Sequence, residues 1–256
     1  MSLVTHLSGH GGHALPVMHV SLARPFIWLG KGWGDLRRTP RASLAYGLLV
    51  SVLGAVILGF WRHPYFIAAA VAGFLLVGPL FAAGLCELSR RLAAGETADF
   101  DTSLSVLARH RTALIRFSAE LLAIGAIWFA AYTLMLHLAL GSAAPSVEAT
   151  QWGGVLEQLT AAQLISYGVV GGLLACVVFA RSVVAVPLII DRHVDSPTAV
   201  RTSIRVTLAD LPAMILWAAL IVILVGLGFA TFLVGMVAVF PLLGHATWHA
   251  YRDLVK

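Results

Sequence analysis

The sequence predicts an all-α integral membrane protein of six transmembrane helices, built as three repeated hairpins, each preceded by a short interfacial amphipathic helix. Three observations predict it: an apolar composition, six long apolar runs, and an internal repeat that places a proline at the same point in each copy. Of 256 residues, 59% are Ala, Val, Ile, Leu, Met, Phe, Trp, Tyr or Cys. The 24 glycines bring the apolar share to about 68%, against roughly 45–50% in soluble domains. Charged residues make up only 11%, and mean hydropathy is +0.90. These values exclude a soluble enzyme, a disordered chain and the nucleic-acid-binding domain that a pI of about 9.7 would otherwise suggest. The bilayer is the expected partner of most of the surface.

A span needs about 20 mainly apolar residues to cross roughly 30 Å of hydrocarbon. Such runs lie near 42–60, 65–88, 113–138, 163–190, 212–227 and 229–249, the last two joined tightly around Gly226 and Gly228. Basic residues orient them, because positive charge stays on the cytoplasmic side. Arg24, Lys31, Arg37, Arg38 and Arg41 precede span one. Arg90, Arg91, Arg109, Arg111 and Arg116 separate spans two and three, Arg192, Arg201 and Arg205 separate four and five, and Arg252 and Lys256 follow six. Arg62 alone falls on the other side, and Arg181 lies within span four. Both termini are therefore expected in the cytoplasm, with the net charge of +5 serving topology and contact with anionic headgroups.

The repeat emerges on shifting the chain by 100 residues, which sets Thr102, Ser103, Leu104, Val106, Ala113 and Ile115 over Thr202, Ser203, Ile204, Val206, Ala213 and Ile215. In that frame Phe100, Leu104, Leu107 and Ala108 match Val200, Ile204, Thr207 and Leu208, whose i, i+4, i+7, i+8 spacing makes one helical face mostly apolar. Each segment reads as a helix lying in the interface before a hairpin. Phe26, Leu29, Trp33 and Leu36 form a weaker third copy. The second helix of each hairpin carries Gly78-Pro79-Leu80, Val186-Pro187-Leu188 or Phe240-Pro241-Leu242, where proline frees a carbonyl one turn earlier and tends to kink the helix. The expected organisation is an N-terminal arm over 1–24 and one membrane domain over 25–256, with repeat units at about 25–91, 96–195 and 196–256.

Residues 139–162 form an outer loop containing Glu148, Trp152 and Glu157, readable as a docking surface or lid, or as an ordinary exposed loop. The first 20 residues show no cleaved signal peptide pattern. His6, His10, His13 and His19 have metal-tract spacing, yet no carboxylate or cysteine accompanies them, which favours a mobile tail or docking arm. Cys86 and Cys176, both in apolar runs, read as small buried hydrophobes.

The blocks Gly32-Trp33-Gly34-Asp35-Leu36, Gly73-Phe74-Leu75-Leu76-Val77-Gly78-Pro79, Glu87-Leu88-Ser89-Arg90-Arg91, Val186-Pro187-Leu188, Trp217-Ala218 and Pro241 to Arg252 resemble the prokaryotic integral membrane family catalogued as domain of unknown function 2189. The resemblance covers roughly residues 28–256. It implies a bacterial inner-membrane protein; some relatives carry the label of putative cytochrome c oxidase subunit, and the family supplies no catalytic residues to carry over.

Ionisable groups inside spans are expensive and therefore functional candidates. Glu120 and Arg181, on the two helices of one hairpin at similar depth, form a candidate intramembrane pair: a register-fixing ion pair or part of a proton or anion path. Counting from each proline, Glu87, Asp191, His245 and His249 are expected to gather as a polar cluster at the cytoplasmic mouth. His245 and His249, four apart on one helix face, are candidate ligands for a metal or haem, the alternative being a hydrogen-bonded structural cluster with Trp248, Tyr251 and Arg252. His137 and His245 lie at opposite ends of their spans, a poor bis-histidine pair, and an oxidase catalytic subunit would need several intramembrane histidines. No phosphate loop, Ser/His/Asp set or zinc-protease motif occurs.

Three functions stay open: a non-catalytic accessory or assembly subunit of a respiratory membrane complex, a small-solute or ion transporter, and a metal- or haem-handling protein. The first expects no enzyme activity, no cofactor, and other membrane subunits as partners.

Overall fold

The computed structural model describes residues 16–59, 64–141 and 159–256, with side chains described outside 57–77. His6, His10, His13, Arg62, Glu148, Trp152 and Glu157 lie outside the described residues. The described chain is helical: α1 (Arg24–Arg38), α2 (Pro40–Gly59), α3 (Pro64–Ala94), α4 (Phe100–Leu140), α5 (Ala161–Ser182), α6 (Ala185–Arg192), α7 (Ser196–Ala209), α8 (Leu211–Ala230) and α9 (Met236–Leu254). By length and apolarity α4, the α5–α6 stretch and α8 can each cross a membrane, and the α1–α2 pair, bent by 107°, makes a fourth candidate. This is an all-helical, multi-pass integral membrane protein. α9 carries His245, Thr247, His249, Arg252 and Asp253 and does not reach that apolarity.

Local chemistry sets the boundaries. Thr39 separates α1 from α2, with prolines at the first turn of each, where a missing N–H is harmless. Asp99 and Thr102 close a reciprocal capping box at the start of α4, and Thr160 and Gln163 do the same for α5. The expected interfacial helix at 100–108 and the span after it are continuous in α4, with non-helical torsions at His110 marking the junction. The ring of His110 stacks on His193 at 4.8 Å between centroids. Burial, and then the neighbouring His193 and Arg109, hold the His110 imidazole below its ordinary pKa. Between α8 and α9 the turn falls at Thr231–Gly235, later than the Gly226–Gly228 junction expected, with Phe232 and Leu233 at positive φ.

The three prolines behave differently. Pro79 and Pro241 sit inside continuous helices, whereas the helix around Pro187 breaks at Val183–Val184 into α5 and α6. At the break, Ser203 of α7 bridges the gap: its hydroxyl donates to Ala180 O at 2.8 Å and accepts from Val184 N at 3.4 Å, two groups that an unbroken helix would pair with each other. Its repeat counterpart Ser103 also reaches across helices, with its Oγ 2.8 Å from the Tyr46 hydroxyl of α2. Gly84 makes room for that Tyr46 ring, because a Cβ there would overlap it.

The core is aromatic. Trp28, Trp217, Trp248, Tyr46, Tyr251 and Phe117 are fully buried, and Trp28 meets Trp217 edge-on at 5.7 Å. Within the expected arm, Val17 bridges Val255, Met18 N donates to Leu254 O, Lys256 N to Pro16 O and Val20 N to Asp210, so residues 16–20 are strapped to the C-terminal end. Cys86 is buried as expected; Cys176 is not, because it faces outward from α5.

Candidate functional site: a buried serine–histidine–aspartate network

The most polar part of the interior lies where α1, α2 and α3 meet α9. Gly32 brings α1 against the α9 backbone; a Cβ at Gly32 would sit 2.7 Å from Ala246 N. That approach carries Asp35, one turn on, to His249, whose Nε2 donates to Asp35 Oδ2 at 2.8 Å. Ser89 of α3 donates to the same Oδ2 at 2.8 Å and lies 2.7 Å from His245 Nδ1. On the other side of that ring, Nε2 lies 2.8 Å from Ser43 Oγ of α2, itself 3.0 Å from Thr39 Oγ1.

The donors fix the roles. Ser89 has spent its proton on Asp35 and therefore accepts from His245 Nδ1–H, leaving Nε2 to accept from Ser43. His245, with 0% exposure, is thus held as its Nδ1–H tautomer with both nitrogens occupied. Burial by itself would raise the Asp35 carboxyl, but hydrogen bonds from His249 and Ser89 outweigh it and leave the pKa below its ordinary value. The result is a chain of hydrogen bonds, Ser43–His245–Ser89–Asp35–His249, pinning four helices together, while Thr39 Oγ1 donates to Asp35 O at 3.1 Å.

The expected four-residue mouth cluster divides into three separate groups. His245 and His249 share the Asp35 network. Glu87, 1% exposed, turns instead to Arg90 at 2.6 Å and Arg91 at 2.9 Å, both on its own helix. Asp191 accepts from the Tyr251 hydroxyl and lies 3.7 Å from both Arg192 and Arg252. Burial and the hydrogen bond to Asp191 push the Tyr251 phenol above its ordinary pKa.

The same geometry bears on the candidate ligands His245 and His249. Serine hydroxyls take both His245 nitrogens, and among the described residues no three His, Cys, Asp or Glu side chains group as ligands.

Glu120 and Arg181 do meet, Arg181 Nη2 lying 2.9 Å from Glu120 Oε2. Both are 28–29% exposed, and Glu120 Oε1 accepts from Ser196, the first residue of α7, at 2.8 Å. The pair thus ties the α4–α5 hairpin to the helix that precedes α8.

Asp35, Ser43, Ser89 and Ser196 are participants that motif reading passed over. The available signal for Asp35 was a lone acid beside two glycines on an otherwise basic helix.

A bundle of apolar helices pinned by internal polar contacts defines a helical integral membrane protein in contact with the lipid bilayer. The family model described as "Predicted integral membrane protein (DUF2189)" matches the chain over residues 66–191, the family that the sequence blocks resembled. No curated protein matches the chain, and no solved structure does.

Proposed function

We propose that the chain is a non-catalytic membrane accessory or assembly subunit that receives a partner's transmembrane helix on the outer face of α5. The observation carrying this reading is a small-residue stripe with no neighbour of its own. Gly168, Gly172 and Cys176 follow one another at four-residue intervals on the exposed side of α5. A Cβ at Gly168 or Gly172 would meet nothing within 4 Å, whereas one at Gly171 would collide with the Tyr132 hydroxyl. Gly171 thus serves internal packing, and the Gly168–Gly172 pair has the spacing that lets a second helix approach closely in a bilayer.

The full architecture in this reading is six spans in three hairpins, units 25–91, 96–195 and 196–256, set in a bacterial inner membrane with both termini cytoplasmic. Support comes from the corresponding positions of the three prolines, the His110 junction and the parallel roles of Ser103 and Ser203. The narrower identity, a subunit of a cytochrome oxidase type respiratory complex, rests on the label of some relatives. A solute path past Glu120 and Arg181 finds less support, because neither side chain lines the apolar cavity between the helices.

The test is purification from the native membrane in mild detergent, with mass spectrometry of co-migrating proteins and a reduced-minus-oxidised spectrum. The wild type is expected to co-migrate with a defined membrane protein, and Gly172→Ile to lose it while keeping its own helicity. A wild-type chain that migrates alone and colourless overturns the reading.

A further inference from the structure

The residues directly before the three repeat prolines, Gly78, Val186 and Phe240, converge on one cavity of about 290 Å³. Its volume falls near the small end of the range for ligand pockets, about 300–1,000 Å³. Phe117, Phe179 and Trp217 add aromatic rings to its otherwise largely aliphatic wall, and no charged side chain lines it. An ion or a sugar entering here would lose its hydration without replacement. Two hydroxyls on the lining have already spent their protons within their own helices: Ser182 on Val178 O at 2.7 Å and Thr247 on Leu243 O at 2.8 Å.

One donor remains. Trp217 is 0% exposed and lines the cavity, and its Nε1–H has no partner among the described residues. Its edge-on neighbour Trp28 has given the equivalent hydrogen to Asp253 at 2.9 Å. Buried indole N–H groups ordinarily find an acceptor. An apolar space beside a buried indole with an unused donor calls for a neutral molecule with one good acceptor, soluble in the bilayer.

We propose that this cavity binds a neutral carbonyl-bearing lipophile, a ring ketone or an acyl ester, whose oxygen accepts the Trp217 Nε1–H. The site is separate from the outer face of α5 and does not depend on a partner protein.

The test uses the full chain in detergent with ¹⁵N-labelled tryptophan, titrated in one arm with menadione and in the other with dioleoylglycerol. Trp217→Phe identifies the indole resonance by its loss. With a fitting probe, the Trp217 resonance is expected to shift saturably while that of Trp28 stays fixed. Trp217→Phe should weaken binding about tenfold, the equivalent of one hydrogen bond. Gly78→Leu, placed where a Cβ meets nothing within 4 Å, should fill the cavity and abolish the shift. If that variant does not fold, Ala82→Leu on the same lining replaces it. A response to menadione alone assigns a free ring ketone, and one to dioleoylglycerol alone assigns a lipid ester. No selective shift with either probe, or a shift that survives filling the cavity, overturns the proposal.

Discussion

Around α9, side chains from α1, α2 and α3 form a hydrogen-bonded chain with every nitrogen of His245 used, whereas among α4, α5 and α8 three buried polar atoms have no partner among the described residues. These are Ser118 Oγ, Arg181 Nε and Trp217 Nε1. Both regions are buried, so burial alone does not explain the contrast. A buried polar group left unpaired costs about 1–3 kcal/mol, and a satisfied network fixes one arrangement of its helices. The first region has the character of a fixed joint. The second keeps spare hydrogen-bonding capacity beside a cavity.

The contrast breaks most visibly at His245. His245→Ala strands the Ser43 and Ser89 hydroxyls and leaves a void between α2, α3 and α9, which should cost about 3–5 kcal/mol. Thermal unfolding in detergent, followed by circular dichroism, reads the loss. A change below about 1 kcal/mol would mean that the network does not hold the helices together.

Asp35 supplies the next effect and gives it a pH signature. Its carboxyl is held below its ordinary pKa in the folded chain, facing His249, Ser89 and, at longer range, His245. A depressed folded-state pKa contributes stability that is present above the unfolded value and is lost as pH falls through the folded one. The wild type should therefore weaken as pH drops below the carboxylate range. Asp35→Asn should be less stable by about 1–2 kcal/mol at neutral pH and lack that acid-side component. Melting curves from pH 7 down to the acid limit of the detergent check the sign. An unchanged acid slope in the variant would remove Asp35 from the joint.

How much of this was legible depends on the range of the interaction. Apolar runs foretold α2, α4, α8 and the α5–α6 stretch because hydrophobic length is a local property. Prolines marked where helices could break, but not that only Pro187 would break its helix. That outcome depends on Ser203 arriving from α7 to take the freed groups. Glu120 and Arg181 stood out because charge is rare in spans, yet the contact of Glu120 with Ser196 was not readable. Asp35 and His249 lie 214 positions apart, and nothing in local pattern pairs them. Ser43 and Ser89 are ordinary residues for a membrane helix until His245 is placed between them. The proline-based count did put His245 and His249 at one end of the bundle. It could not foresee that Glu87 would satisfy its charge on its own helix, since i+3 and i+4 arginines are nearer than any residue across the interface.

The smallest expected effect lies in the unpaired region, and its size distinguishes the two halves. Trp217→Phe removes an N–H that has no partner, a gain of about 1–3 kcal/mol by the desolvation argument, and shrinks a ring packed against Trp28, a loss of similar size. The two nearly cancel, so the ligand-free variant should melt within about 0.5 kcal/mol of the wild type, unlike His245→Ala. Adding a ligand that accepts from the indole should reverse that near-equality, because binding stabilises the folded state by about 2.7 kcal/mol at a hundred times Kd and by less where affinity is weaker. A large loss for ligand-free Trp217→Phe would place Trp217 with the satisfied joint and remove the contrast between the two regions.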